Sequence, residues 1–292
     1  MDGYPFRMNA APLRDELATQ HRALHDISGG YPANHFAFQR IANALLDAGA
    51  GRIIEVGVGQ GNALTLLAGL GLEISGIDTS NEAVDASKER LKSLGQDPSR
   101  VTWANIEDPI TYAPLAADGP FDALVALGVL PHVRHEHQTI LNMRSLVRPG
   151  GEVFVEFRNK LFSLFTFNRY TYEFIMDDLL GEVDGALRGA VGERLRGRLD
   201  MEAPPVSTSG HAARFHTPFE VIDDFNAAGF EAVEAWPFHY HAGPPSFEAS
   251  HPQAFRDESI ALEHETSGWK GLFLCSAFII RARRPLAGEA SV

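Results

Sequence analysis

The sequence predicts an α/β protein, a seven-stranded doubly wound sheet with an inserted, mostly helical cap. Three observations carry that class. From Arg52 onward short apolar runs alternate with amphipathic segments, as parallel strands joined by right-handed crossover helices do. The first run ends in three alternate glycines and the second in an aspartate, the arrangement in which such sheets bind ligands at their carboxyl edge. Between residues 158 and 215 the alternation stops and an aromatic, then charge-alternating, stretch takes over. The chain has 292 residues, 25 Lys+Arg against 38 Asp+Glu and a net charge of −13, which is length enough to bury a large core. The acidic balance argues against a nucleic-acid partner, since neutralising phosphates needs an excess of lysine and arginine. Cys275 is the single cysteine, so no internal disulfide forms, and no stretch reads as a signal peptide or membrane span. The expectation is a soluble, cytoplasmic protein that acts on a small molecule, with no membrane partner. Homo-oligomerisation stays open.

Taken in order, residues 10–27 carry Leu13, Leu17, Leu24 and Ile27 at helical spacings, and Gly29-Gly30-Tyr31-Pro32 ends that helix. A second helical pattern covers residues 36–46, so residues 1–50 read as an N-terminal helical lid. A strand at 53–56 follows, then a helix at 62–70, a strand at 73–77 and a helix at 80–94. Thr79 with Glu82 three residues on has the form of a capping box for the last of these, and Gly95 is its stop. Strands at 101–105 and 121–127, a helix at 136–147, the turn Pro149-Gly150-Gly151 and a strand at 152–157 complete a core unit over residues 51–157.

Residues 158–215 form the inserted cap. Phe162, Phe165, Phe167, Tyr170, Tyr172 and Phe174 come close together, then a helical stretch at 177–200 and a loop at 203–210. Residues 216–292 return to the sheet with a helix at 218–228, a strand at 230–236, a long loop and a last strand at 272–283. With only a loop and no evident crossover helix between these two strands, the final one is expected to run antiparallel.

The loop after the first strand reads Glu55-Val56-Gly57-Val58-Gly59-Gln60-Gly61-Asn62. Alternate glycines turn the backbone tightly and leave no side chain between main chain and ligand, and the following helix offers free N–H groups. A nicotinamide fingerprint spaces its glycines GxGxxG and would place the third at 62, where this chain has Asn62. Asp78 stands 21 residues after Gly57, where a carboxylate accepts hydrogen bonds from both hydroxyls of a ribose.

On these residues the sequence resembles the class I S-adenosylmethionine-dependent methyltransferases, of the small-molecule type. Their acid-x-G-x-G-x-G loop is matched by Glu55 to Gly61 and their ribose-binding acid by Asp78. The similarity continues at Asn105-Ile106-Glu107 beside the adenine position, at Phe121-Asp122, at 127–133 and at 146–151, covering about residues 50–157 and 216–284. Asn105 stands where the family commonly has an acid. The resemblance implies a Rossmann-like methyltransferase fold whose core at 51–157 binds S-adenosyl-L-methionine and releases S-adenosyl-L-homocysteine. It implies donor contacts from Glu55, Gly57, Gly59, Gly61, Asp78, Thr79, Asn105, Ile106 and Leu127, and a cap over the acceptor site.

Methyl transfer from a sulfonium is an in-line displacement that depends chiefly on proximity, orientation and exclusion of water. The acceptor atom, oxygen, nitrogen or carbon, is therefore not written in any motif, and a natural-product intermediate is a lean taken from the cap's aromatic composition. Acceptor-side candidates are His132, after the fourth strand, Glu156, Arg158 and Asn159, leaving the fifth, and Tyr170 in the cap. His132, Glu156 and Tyr170 are the expected catalytic residues. No metal is expected, because His132, His135 and His137 lack the i, i+4 spacing of a helical zinc face. His239 and His241 share one face if the chain is extended there, and a surface position is expected for both. Arg188, Arg194, Arg196 and Arg198 alternate with Glu193 and Asp200, a solvated helix face rather than an RNA-binding stripe. The alternatives are a nicotinamide-dependent oxidoreductase, against which the glycine spacing counts, and a non-catalytic adenosyl-binding protein.

Overall fold

The computed structural model describes residues 33–202, 214–264, 268–286 and 288. The expected helix at 10–27, Tyr31 and the loop at 203–210 lie outside them. The first described helix is α1 (Ala33–Asp47), then β1 (Arg52–Val56), α2 (Asn62–Ala68), β2 (Glu73–Asp78), α3 (Asn81–Ser93), β3 (Val101–Trp103), α4 (Pro109–Ala117), β4 (Phe121–Ala126), α5 (Glu136–Leu146) and β5 (Val147–Asn159). The described part of the inserted segment is mostly helical: α6 (Ser163–Thr166), α7 (Arg169–Glu173), a π-helical turn (Phe174–Leu179) and α8 (Gly185–Arg196). The chain then forms β6 (Phe215–His216), α9 (Pro218–Ala227), β7 (Glu231–Tyr240), α10 (Pro252–His264), α11 (Gly271–Leu274) and β8 (Cys275–Arg283).

The strands run in the order β3-β2-β1-β4-β5-β8-β7. Every pairing from β3 to β5 is parallel, and β8 is antiparallel to both β5 and β7. The expected direction of the last strand is borne out, but its stated reason is not: α10 lies in the stretch read as a loop. A helix there does not force a parallel return, because α10 packs back on β7 itself, where Glu263 accepts the Tyr240 backbone N–H at 3.0 Å.

The sheet also has an eighth strand that periodicity at 53–283 does not reveal. β6 has two residues and pairs in parallel with the tip of β5, Arg158 with Phe215 and Asn159 with His216. Since β8 already occupies the other side of Arg158 through Ala277, β6 lies on the β4 side, beyond the last β4–β5 pair at Ala126 and Val155. The end of the inserted segment is thus laid directly over the tip of β4.

Alternation along the strands divides the core in two. On one face Ile54, Val56, Leu124, Val153 and Phe157 pack with α4, α5 and α9 through Tyr112, Met143 and Phe225. On the other Ile53, Val125, Phe154 and Ile279 pack with α1, α2 and α3 through Ile41, Leu67 and Val84. At the start of α3 the cap is Ser80, which accepts the N–H of Ala83, rather than the expected Thr79. Asp78 takes the Ser80 N–H at 2.8 Å, and this turn shifts the helix start by one residue. A capping box does form, between Thr217 and Glu220 at the start of α9. Gly95 follows α3 at φ +71°, as a stop of this kind requires.

Candidate active site

Asp78, at the end of β2, is held by the loop it faces. Its Oδ2 accepts the Gly59 N–H at 2.9 Å and its Oδ1 the Ser80 N–H. Lone pairs remain on both oxygens for hydroxyl donors. Gly57 and Gly59 have φ +77° and +48°, a region closed to ordinary side chains. A Cβ at Gly57 would meet Val129 Cγ2 at 2.4 Å, whereas nothing lies within 4 Å of one at Gly59. Gly57 is therefore required by the β4 loop packed against it, and Gly59 presents open backbone. Gly61 is the N-cap of α2.

Glu55, two residues before Gly57, is 5% exposed. It takes the Leu64 backbone N–H, while its Oε2 is buried with no hydrogen-bond partner. Burial, then the nearby charge of Asp78, pushes its carboxyl pKa well above the usual range. Two acidic side chains thus stand together at the mouth of the glycine loop, the charge of one favouring the proton on the other.

After β3, Asn105 Oδ1 accepts the Glu107 N–H at 3.0 Å, and Asn142 Nδ2 donates to the Ile106 carbonyl at 2.8 Å. The Ile106 side chain is buried in the core, so the backbone is what this residue offers a ligand. Thr79 is exposed and its carbonyl accepts the Trp103 indole N–H at 2.8 Å. Leu127, at the end of β4, packs against the cluster of Phe38, Ala42 and Ala63, which brings α1 over the β4 tip.

The acceptor-side candidates are distributed around the tips of β4 and β5. His132 is exposed in the turn Leu130–His132, and the Arg214 N–H, just before β6, donates to the Pro131 carbonyl at 3.2 Å. Glu156 is half-buried on β5. Burial raises its carboxyl pKa, while the Gly128 N–H and the Arg158 charge pull it back. Arg158 lies two residues further on the same sheet face, with its guanidinium 6.0 Å from the Phe215 ring centre. Tyr170 packs on that ring, 5.8 Å between centres. The fold therefore gathers Glu156, Arg158, Phe215 and Tyr170 on one face, and places His132 on the turn that β6 covers. Of the cap aromatics, Phe162 and Phe174 are buried as core and Phe167 is exposed.

His239 and His241 are not surface residues. His241 is 8% exposed, its ring 4.6 Å from that of His239 and 4.6 Å from Phe162. Burial lowers their pKa values to about 4 and about 3, so both are neutral near pH 7. An irregular end to β7, with His239 at φ +59°, turns the pair inward, which a simple two-residue alternation does not anticipate. Among the described residues no group of three or more His, Cys, Asp or Glu side chains is placed to hold a metal, and no helix is long and apolar enough to cross a membrane.

Residues 54–153 match the family model described as a methyltransferase domain. By this match the stretch is similar to a methyltransferase domain. The chain is 30% identical over 125 residues to the ubiquinone biosynthesis O-methyltransferase of Aromatoleum aromaticum, covering 43% of this chain and 51% of that protein. It is 28% identical over 133 residues to the phosphatidylethanolamine N-methyltransferase of Cereibacter sphaeroides, covering 46% and 62%. The chain spans about half the length of the first curated relatives it matches. The crystal structure of the YcgJ protein from Bacillus subtilis superposes with a TM-score of 0.50 at 12% identity, covering 86% of this chain and 99% of that one. That likeness bears on the fold.

The methyltransferase domain fits its donor on features of this structure. The orphaned Glu55 Oε2 suits a buried ammonium, the open shelf at Gly59 leaves room for a ligand against the main chain, and Asp78 keeps acceptor capacity for a diol. The same two acids oppose a dinucleotide, whose pyrophosphate is anionic. Two rim features of the domain escaped the sequence. Phe215 and His216 form a strand of two residues, too short to carry a period. Glu136 binds Arg214 at 2.7 Å and His216 at 3.0 Å, across a sequence separation that only the folded chain closes.

Proposed function

We propose that the chain transfers a methyl group from S-adenosylmethionine to a small-molecule acceptor. The observation that carries this is the buried carboxylate of Glu55, unsatisfied on one oxygen at the foot of the glycine loop, inside a methyltransferase domain. When bound, the donor supplies an electrophilic methyl group on a sulfonium centre. Glu55 holds the ammonium of its methionine part, Asp78 the ribose hydroxyls, and Asn105 with the Ile106 backbone the adenine. Gly57, Gly59, Gly61, Thr79 and Leu127 shape the walls.

On the acceptor side His132, Glu156 and Tyr170 are the residues that touch substrate. Glu156, whose carboxyl pKa burial raises, is suited to take a proton from an acceptor hydroxyl or ammonium. Residues 158–215 act as a cap over the acceptor, residues 1–50 as a lid and residues 216–292 as the closing part of the sheet. Relatives that act on oxygen and on nitrogen both align, so the acceptor atom is set by these rim residues rather than by the donor half. The absence of a long apolar helix among the described residues fits a cytoplasmic setting.

Calorimetric titration with S-adenosylmethionine, S-adenosylhomocysteine and NADH tests the reading. The expected result is saturable binding of both adenosyl compounds, loss of that binding in Asp78→Ala, and no binding of NADH. Binding of NADH alone would send the chain to the oxidoreductases. Transfer itself is read as the mass gain of one methyl group on candidate acceptors.

A further inference from the structure

We propose that the acceptor is a planar molecule bearing a carboxylate, and that Arg158 is the residue that recognises it. This rests on the reading of the chain as a methyltransferase and deepens it on the acceptor side. Arg158 is exposed at the tip of β5 and makes no ion pair or hydrogen bond among the described residues; its guanidinium lies over Phe215 at 6.0 Å and acts on Glu156 through its charge alone. The neighbouring cations are engaged. Lys160 is bound to Asp178 at 2.9 Å, Arg169 to Glu173 at 2.7 Å and Arg214 to Glu136 at 2.7 Å.

The place of this uncommitted guanidinium decides its use. Glu156 stands two residues earlier on the same strand face, roughly 7 Å along the chain at strand rise, and reaches the Gly128 N–H at the tip of β4. β4 is the strand next to β1 and its glycine loop. A molecule lying between Glu156 and Arg158 would therefore reach from the tip of β4 toward the solvent edge of the cap, along the rings of Phe215 and Tyr170. Those rings, tilted 43° to each other, offer an apolar wall to a flat molecule. A guanidinium presents a planar fork of donors that matches a carboxylate in two parallel hydrogen bonds. With a net charge of −13 on the chain, general attraction for anions is weak, so the selectivity has to be local.

The probes are 3,4-dihydroxybenzoate and catechol, which share a ring and two hydroxyls and differ by the carboxylate. Each is titrated into the full chain saturated with S-adenosylhomocysteine, in the wild type, Arg158→Gln and Arg158→Lys. The wild type is expected to bind the carboxylated probe on the order of 10- to 100-fold more tightly than catechol, the range of a charge-assisted hydrogen bond. Arg158→Gln should erase that difference, Arg158→Lys should restore part of it, and affinity for S-adenosylhomocysteine should stay the same in all three. Equal affinities in the wild type, failure of both probes to bind, or a preference that survives in Arg158→Gln overturns the assignment. Loss of S-adenosylhomocysteine binding in the wild type would instead defeat the methyltransferase reading on which it stands.

Discussion

Glu107 Oε1 lies 2.9 Å from the backbone nitrogen of His135 and accepts its N–H, while also accepting that of Arg134 at 2.9 Å. One carboxylate oxygen therefore ties the loop after β3, proposed to face the adenine, to the segment that carries His132. Asn142 makes a second tie, from α5 to the Ile106 carbonyl. Ordering one loop should order the other. Hydrogen exchange is expected to slow at residues 105–107 and 130–136 together when S-adenosylhomocysteine is added to the wild type. In Glu107→Ala the first segment should still respond and the second should not. Undiminished protection of both segments in the variant would show that the loops are coupled by another route.

The burial of Glu55 gives a stability trade that can be measured. Its folded pKa is raised above the ordinary 4.5, so the folded state holds the proton more tightly than the unfolded one. Its stabilising contribution is present at acid pH and is lost as pH rises through the folded pKa. Glu55→Gln stays uncharged throughout. The melting temperature of the variant, without ligand, should therefore gain on the wild type as pH is raised above 4.5. The same variant should bind S-adenosylhomocysteine about 10-fold or more weakly, because a charge-assisted hydrogen bond to the ammonium is lost. A melting-temperature difference between variant and wild type that does not change with pH would contradict the desolvated carboxylate.

The donor half was legible because its chemistry is local. Strand, glycine loop and Asp78 fall within one βαβ stretch, and the three helices expected in the first core unit form within a few residues of their expected ends, whereas α4, between β3 and β4, was not anticipated. Thr79 was misread as a cap because Ser80 beside it is equally able to cap, and only the Asp78 hydrogen bond decides between them. The acceptor rim was less legible. Glu156 and Arg158 follow from the position of β5, but Phe215 joins them through a two-residue strand with no period of its own. The inward turn of His239 and His241 rests on one backbone angle, and α10 was hidden in a stretch without a strong start signal.

Gly57→Ala tests how the donor loop is built. The new methyl group would stand 2.4 Å from Val129 Cγ2, at a backbone φ of +77°. The left-handed conformation alone costs an alanine about 1–2 kcal/mol, and the overlap must push the β4 loop or the glycine loop aside. Donor affinity is expected to fall with stability. Adding Val129→Ala removes the overlap but not the strained angle, so the double variant should recover part of both losses in denaturant titrations and donor calorimetry. No recovery at all would place the fault in the backbone angle alone.

Far from the donor loop, Glu263 is 2% exposed and ties three elements together. On α10, it accepts the Tyr240 N–H of β7 at 3.0 Å and faces Arg40 of α1 at 3.4 Å, while Arg40 also donates to the Pro237 carbonyl. Removing one member leaves the other charge buried without its partner, a loss of about 3–5 kcal/mol. Glu263→Ala should lower the melting temperature markedly, and Arg40→Met, which removes the cation but keeps the carboxylate buried, should do so as well. The double variant Arg40→Met/Glu263→Gln leaves no unpaired charge and should be more stable than Glu263→Ala alone. The staple sits at the β7 edge, five strands from β2 in the sheet order, so affinity for S-adenosylhomocysteine at a temperature where all variants are folded should change little. A double variant no more stable than Glu263→Ala would mean that the three elements are held by packing and not by this charge pair.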